Sequence, residues 1–165
     1  MPLEKLLETG IIIIVAVMLV VYVPKSKLRE ALVVFFFKQF VTWPLGLAVA
    51  EYGLIEYPVR LFSNATKVQF SFEYLIYPAI CVVFMMTYPE DRGRFKEFMH
   101  YFNYCTIMTM IEVVAEKYTA NINYIHWTWY LTWLSLFITF YISRKFYEWF
   151  FRVNAKEVSG YLHQQ

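Results

Sequence analysis

Residues 6–23 read LLETGIIIIVAVMLVVYV, and from Gly10 onward the run carries no charge. Crossing about 30 Å of hydrocarbon takes roughly 20 helical residues, so this stretch has the length and character of a membrane helix. Its flank, MPLEKLLE, sets two acids against one lysine, unlike the basic region that opens a secretory signal. No A-x-A-like cleavage site follows, since the run ends VYVPKSK. The segment is expected to stay in the mature protein.

Working outward, four further apolar runs repeat the pattern, at about 31–57, 69–88, 98–117 and 123–143. The whole chain is 59% hydrophobic and 21% aromatic. A soluble core of this size could not bury so much apolar surface. The expected fold is all-α: a five-helix transmembrane domain over 1–152, followed by a polar cytoplasmic tail at 153–165. Pro24, Pro58 and Pro89 punctuate helix ends, and Pro44, beside Trp43, is expected to kink the second span. No internal repeat or low-complexity segment interrupts the chain.

Orientation follows from the basic residues. With the N-terminus outside, the cytoplasmic segments hold Lys25, Lys27, Arg29, Arg92, Arg94, Lys96, Arg144, Lys145, Arg152 and Lys156. The outer segments hold Lys5, Arg60, Lys67 and Lys117. That bias predicts N-out, C-in. Trp127, Trp129 and Trp133 then fall near the outer interface and Trp149 at the inner one, as an aromatic belt would. A formal charge of +2 is too small to suggest a nucleic-acid partner.

The same topology gathers Glu51, Glu56, Glu73, Glu112 and Glu116 within about two helical turns, roughly 10 Å, of the outer interface. Arg60, Lys117 and His126 lie at that level. Ionisable groups at membrane depth mark functional sites by default. Carboxylates with an imidazole can ligate a divalent cation, exchange protons, or oppose a cationic ligand. Pairing with Arg60, Lys117 and Lys67, or reaching into the headgroups, is the competing account.

Two polar stripes keep the helical period. One is Cys105, Thr109, Glu112 and Glu116; the other is Thr128, Thr132, Ser135, Thr139 and Ser143. Such faces are expected to pack against neighbouring helices. If they face one another below the glutamates, they form a polar seam leading inward. Gly46, Ala50 and Gly53 make a small-residue stripe with the same packing expectation. Lys38 is expected to snorkel toward the cytoplasm.

Other signals narrow the field. Cys81 and Cys105 lie in apolar runs without partner spacing and read as small hydrophobes. His126 reads first as an interfacial hydrogen-bonding residue. With His100 near the cytoplasmic end of the fourth span and His163 in the tail, haem ligation is not expected. Phosphate-binding glycine loops and the G-x-S-x-G, H-E-x-x-H and EF-hand motifs are absent from the sequence. Asn64-Ala65-Thr66 is a glycosylation sequon in form, relevant only in a eukaryotic secretory pathway.

Three stretches carry a resemblance: EYGLIEYPVRLF at 51–62, FEYLIYP at 72–78 and NYIHWTWYLTWLSLF at 123–137. Together they resemble a group of small, functionally uncharacterised polytopic membrane proteins of Gram-positive spore-forming bacteria, over about 31–152. The resemblance implies a multi-pass protein of the bacterial cytoplasmic membrane. It supplies no activity, but Glu51, Glu56, Arg60, Glu73 and His126 fall in the matching stretches.

The leading expectation is a cell-membrane protein that binds or transports a cation, proton or cationic ligand. Glu51, Glu73, Glu112 and Glu116 would be ligand groups with His126 nearby, and Arg60 would orient one carboxylate. A divalent cation could occupy the layer, and no other cofactor is indicated. The lipid bilayer is one partner; another copy of the chain or a second membrane protein is a further one. The alternative is a non-catalytic structural or regulatory subunit whose stripes are interfaces. A third reading, an enzyme on a lipid-linked substrate, needs two carboxylates with separated pKa values, and the balance is against it.

Overall fold

A computed structural model describes residues 2–90 and 92–162, with side chains described for 4–90 and 92–151. The chain is all-α in its main elements: α1 (Pro2–Tyr22), α2 (Leu28–Glu51), α3 (Tyr77–Met86), α4 (Arg94–Tyr118) and α5 (Trp129–Leu162). By length and composition, two helical segments are long and apolar enough to cross a membrane, Glu4–Tyr22 and Lys25–Glu51; Phe72–Met86 is apolar but shorter. The helix α4 carries Glu97, His100, Glu112, Glu116 and Lys117 among its apolar residues, which dilutes its hydropathy.

The helix α3 is the hub. Its Pro78, Ala79 and Cys81–Met85 are buried, and Cys81, Val82, Phe84 and Met85 form one core with Ala31, Val34, Tyr101, Cys105, Leu136 and Phe140. Both cysteines are buried free thiols within it. The α1 helix packs on α3 and on the turn just before it. The α2 helix contacts α3 and α5, while α4 packs on α5 and reaches α3 through large side chains such as Tyr101 and Tyr104 against Phe84.

Within the bundle the helices depart from the sequence boundaries in three places before α5, each for a local reason. First, α2 runs unbroken through Pro44 but stops at Glu51, short of the expected 57. Gly53 (φ +65°) ends it: Gly53 N–H bonds the Ala50 carbonyl and Leu54 N–H bonds that of Val49, the paired arrangement of a glycine-capped helix end. Gly53 is therefore a cap, not part of a packing stripe. Second, residues 123–128 are not helical. Asn123–Tyr124 (β2) pairs antiparallel with Ile55–Glu56 (β1), in the register Ile55 to Tyr124 and Glu56 to Asn123. Ile55, Tyr57, Val68 and Ile122 close a small second core beneath this ribbon.

Third, residues Phe72–Ile76 form a single π-helical turn leading into α3. Wide turns of this kind are rare and concentrate at functional sites. Pro78 lacks the N–H that would bond the Tyr74 carbonyl, and Gln39 Nε2 supplies a bond there instead at 2.8 Å. Thr42 Oγ1 likewise donates to the Glu73 carbonyl at 3.0 Å. Two polar side chains of α2 thus satisfy the backbone that the turn leaves open.

The backbone of α5 continues to Leu162, through most of the stretch expected as a tail. His163 lies outside the described residues.

Candidate functional site

A cavity of about 430 Å³ lies between α1, the π turn with α3, and α4. Its acidic end holds Glu73 and Glu112, with Tyr57, Tyr77 and Asn121 on the wall. Most of the remaining wall is aliphatic.

Glu112 is held by hydroxyls. Tyr77 donates to Oε2 at 2.7 Å, and Tyr124 and Thr132 donate to Oε1 at 2.6 and 2.8 Å. Trp127 Nε1 in turn bonds Thr132 Oγ1 at 2.8 Å. The bond from Thr132 to Glu112 joins the two polar stripes, so α4 and α5 do face one another here. Three hydroxyl donors thus satisfy the hydrogen-bonding capacity of this carboxylate without a cationic side chain among the described residues.

Glu73 is the contrast. It is 9% exposed, and its carboxylate has no hydrogen-bond partner among the described residues. The π turn directs it over Gly46, where any β-carbon would come within 2.8 Å of its Cδ. Gly46 thus makes a close approach, but to a carboxylate rather than to another helix backbone. Below it, Lys38 is fully buried instead of reaching for the cytoplasm. Its Nζ donates to Thr139 Oγ1 at 2.6 Å and lies 4.5 Å from the centre of the Phe140 ring. Lys38 forms no ion pair among the described residues, although Glu73 is close enough for the two to sense each other's charge. Thr139 and Ser143 of the α5 stripe are buried beside this lysine's helix, with Ser143 bonding the Thr139 carbonyl at 2.7 Å.

The expected single acidic layer is divided. Glu51 is exposed and pairs with Lys67 at 2.9 Å. Glu56 points outward from β1, and His126 is exposed, its backbone N–H bonding the Leu54 carbonyl. Glu116 is half-buried one turn beyond Glu112 and does not line the cavity. Among the described residues Arg60 orients no carboxylate: its guanidinium donates to the backbone carbonyls of Thr66, Tyr57 and Ser63 at 2.7, 2.8 and 3.2 Å, clamping the loop that follows β1. Of the α5 stripe, Thr132 and Thr139 bond α4 and α2 residues, Ser135 bonds the Thr132 carbonyl, and Thr128 Oγ1 is buried without a partner among the described residues. Among the described residues, no three His, Cys, Asp or Glu side chains cluster at metal-binding distance.

The sequence reading passed over several contributors. Glu8 of α1 is 5% exposed and accepts a bond from Ser71, at the mouth of the π turn. Tyr57, Tyr77, Asn121 and Tyr124 also join the site. Tyrosines are so common in this chain that none stood out, and Glu8 read as flank.

The opposite end of the bundle carries a separate charged cluster. Arg144 is 7% exposed; it bonds Glu90 at 3.2 Å and Glu148 at 3.1 Å and stacks over Tyr88, 4.0 Å from the ring centre. Tyr147 donates to Glu30 at 2.5 Å, tying α5 to α2. Burial first, then that bond, pushes the Tyr147 phenol above its ordinary value. Burial also acts to raise the Glu148 carboxyl, but Lys145 and Arg144 outweigh it and hold the group below its ordinary value.

The chain matches no family model, no curated protein and no solved structure.

Proposed function

We propose that this chain is a five-span protein of the bacterial cytoplasmic membrane, N-out and C-in, that binds a cationic ligand in the outer cavity between α1, α3 and α4. Support for the embedding comes from large apolar side chains left exposed along α1, α2, α4 and α5, including Val20, Phe40, Met110 and Leu134. The resemblance over 31–152 agrees with that setting. The observation that carries the binding reading is Glu73: a carboxylate nine-tenths buried, without a hydrogen-bond partner among the described residues, on the wall of an open cavity. Such a group is costly at membrane depth unless a partner arrives. Glu112, already satisfied by three hydroxyls, shapes the potential of the same end rather than serving as the open contact.

Unfolding of the purified protein in detergent tests this, with and without added inorganic and organic cations, across pH 5 to 8. A ligand that binds the folded state raises the midpoint by mass action. A rise in wild type that disappears in Glu73→Gln is the expected result. Flat profiles with every cation would overturn it. The subunit reading draws less support, because Thr132, Thr139 and Ser143 face inward, at 3%, 6% and 1% exposure, and offer little to a partner.

A further inference from the structure

The cavity walls narrow the class of cation. Beyond the acidic end they are built from Ile11, Val15, Met18, Ile80, Ile107 and Met108. Along α4 the lining runs from Asn103 to Ala115, about 18 Å at helical rise. A hydrated inorganic ion gains nothing from such a wall, whereas an aliphatic chain fits its length and chemistry. Among the described residues no lysine or arginine lines the cavity; Lys38, which senses Glu73, is fully buried outside the lining with its ammonium on Thr139, so a phosphate head would meet Glu73 and Glu112 and no exposed cation.

What the acidic end offers is mainly acceptors. The Tyr77 and Tyr124 hydroxyls direct their hydrogens at Glu112. Glu73 and the Tyr57 hydroxyl line the cavity and have no hydrogen-bond partner among the described residues. The two Glu73 oxygens and the Tyr57 oxygen give three acceptor atoms, which suit the three N–H donors of a primary ammonium. Ile14 of α1 and Ile107 of α4 both line the cavity and are 60% and 57% exposed, so they form its rim on the side where the two helices present aliphatic surface.

From this arrangement, and resting on the cation-binding reading above, we infer that the ligand is a single-chain amphiphilic amine drawn from the bilayer between α1 and α4. Its ammonium sits at Glu73 and its chain lies along α4.

The test uses the full chain in lipid nanodiscs, with dodecylamine, dodecanol, ethylamine and magnesium chloride as probes and the unfolding midpoint as readout. Dodecylamine alone should raise the midpoint, and Glu73→Gln should weaken its binding about tenfold or more, the loss of one charge-assisted contact. Ile107→Trp, at an exposed position on the rim, should abolish the dodecylamine shift by filling the opening. An equal shift with ethylamine or magnesium would overturn the amphiphile while leaving the cation reading in place. An equal shift with dodecanol, or no shift with any probe, would overturn both. A dodecylamine shift unchanged in Ile107→Trp would overturn uptake from the bilayer.

Discussion

The Glu73 carboxylate lies on the bare face of Gly46: a β-carbon there would meet its Cδ at 2.8 Å and its Oε1 at 2.9 Å. The glycine is therefore part of the site although it has no side chain. In an ordinary helix interior, Gly→Ala stabilises by about 0.5–1 kcal/mol. Here the new β-carbon must displace the Glu73 carboxylate, the free end of a flexible side chain beside the cavity, so Gly46→Ala should raise the unfolding midpoint by less than that. In a Glu73→Ala background the same substitution should give the full gain. Denaturation of the four members of this cycle checks the difference; equal effects in both backgrounds would exclude the contact.

Glu112 should be the costliest of the outer glutamates to neutralise. Tyr77→Phe, Tyr124→Phe and Thr132→Val each remove one donor to a carboxylate, worth about 1.5–3 kcal/mol, or nearer 1–2 within a membrane. Glu51→Gln breaks only an exposed pair with Lys67 and should cost under about 1 kcal/mol. Urea or thermal unfolding of these variants side by side gives the ranking.

Lys38 invites a test in the opposite sense. Replacing a buried charge by an apolar residue of similar volume is often neutral or stabilising. Lys38→Met should therefore leave the midpoint level or higher. Thr139→Val, which strips the lysine of its one hydrogen bond among the described residues, should lower it by about 1–3 kcal/mol, and the double variant should recover. A loss in Lys38→Met as large as in Thr139→Val would mean that the lysine itself stabilises the bundle.

At the other end, Glu148 gives a pH dependence with a defined sign. Its folded pKa is depressed by Lys145 and Arg144, so its contribution is complete above the ordinary carboxylate range. It is lost as pH falls through the folded value. The midpoint difference between wild type and Glu148→Gln should be full at pH 6–7 and shrink below about pH 4. A difference that grows on acidification would contradict the assignment.

Topology can be read by labelling, because both native cysteines are buried. In intact cells an impermeant maleimide should modify Ser63→Cys, and Lys96→Cys only after permeabilisation. The opposite pattern would invert the proposed orientation.

The helices were legible because apolar periodicity and proline punctuation are local signals. The site was legible in part. Depth reasoning selected Glu73 and Glu112, but also Glu51 and Glu56, because it fixes height along a helix and not rotation about it. Rotation depends on two features with weak local signals: the glycine cap that ends α2 at Glu51, and the π turn. The β1–β2 ribbon went unseen because two-residue strands carry no period. Gln39 and Thr42 were silent for a similar reason, since their roles exist only once Pro78 has freed a carbonyl on a neighbouring helix.

The π turn at Phe72–Ile76 holds more residues per turn than an α-helix, and Glu73 owes its bearing to that surplus. Deleting one residue between Phe70 and Tyr77 would let the segment relax to a regular spiral. Everything upstream, Glu73 included, would then swing by about 100° relative to α3. Every side chain could be kept and the carboxylate would still leave the cavity. At this point the chain is more sensitive to how many residues it has than to which ones they are.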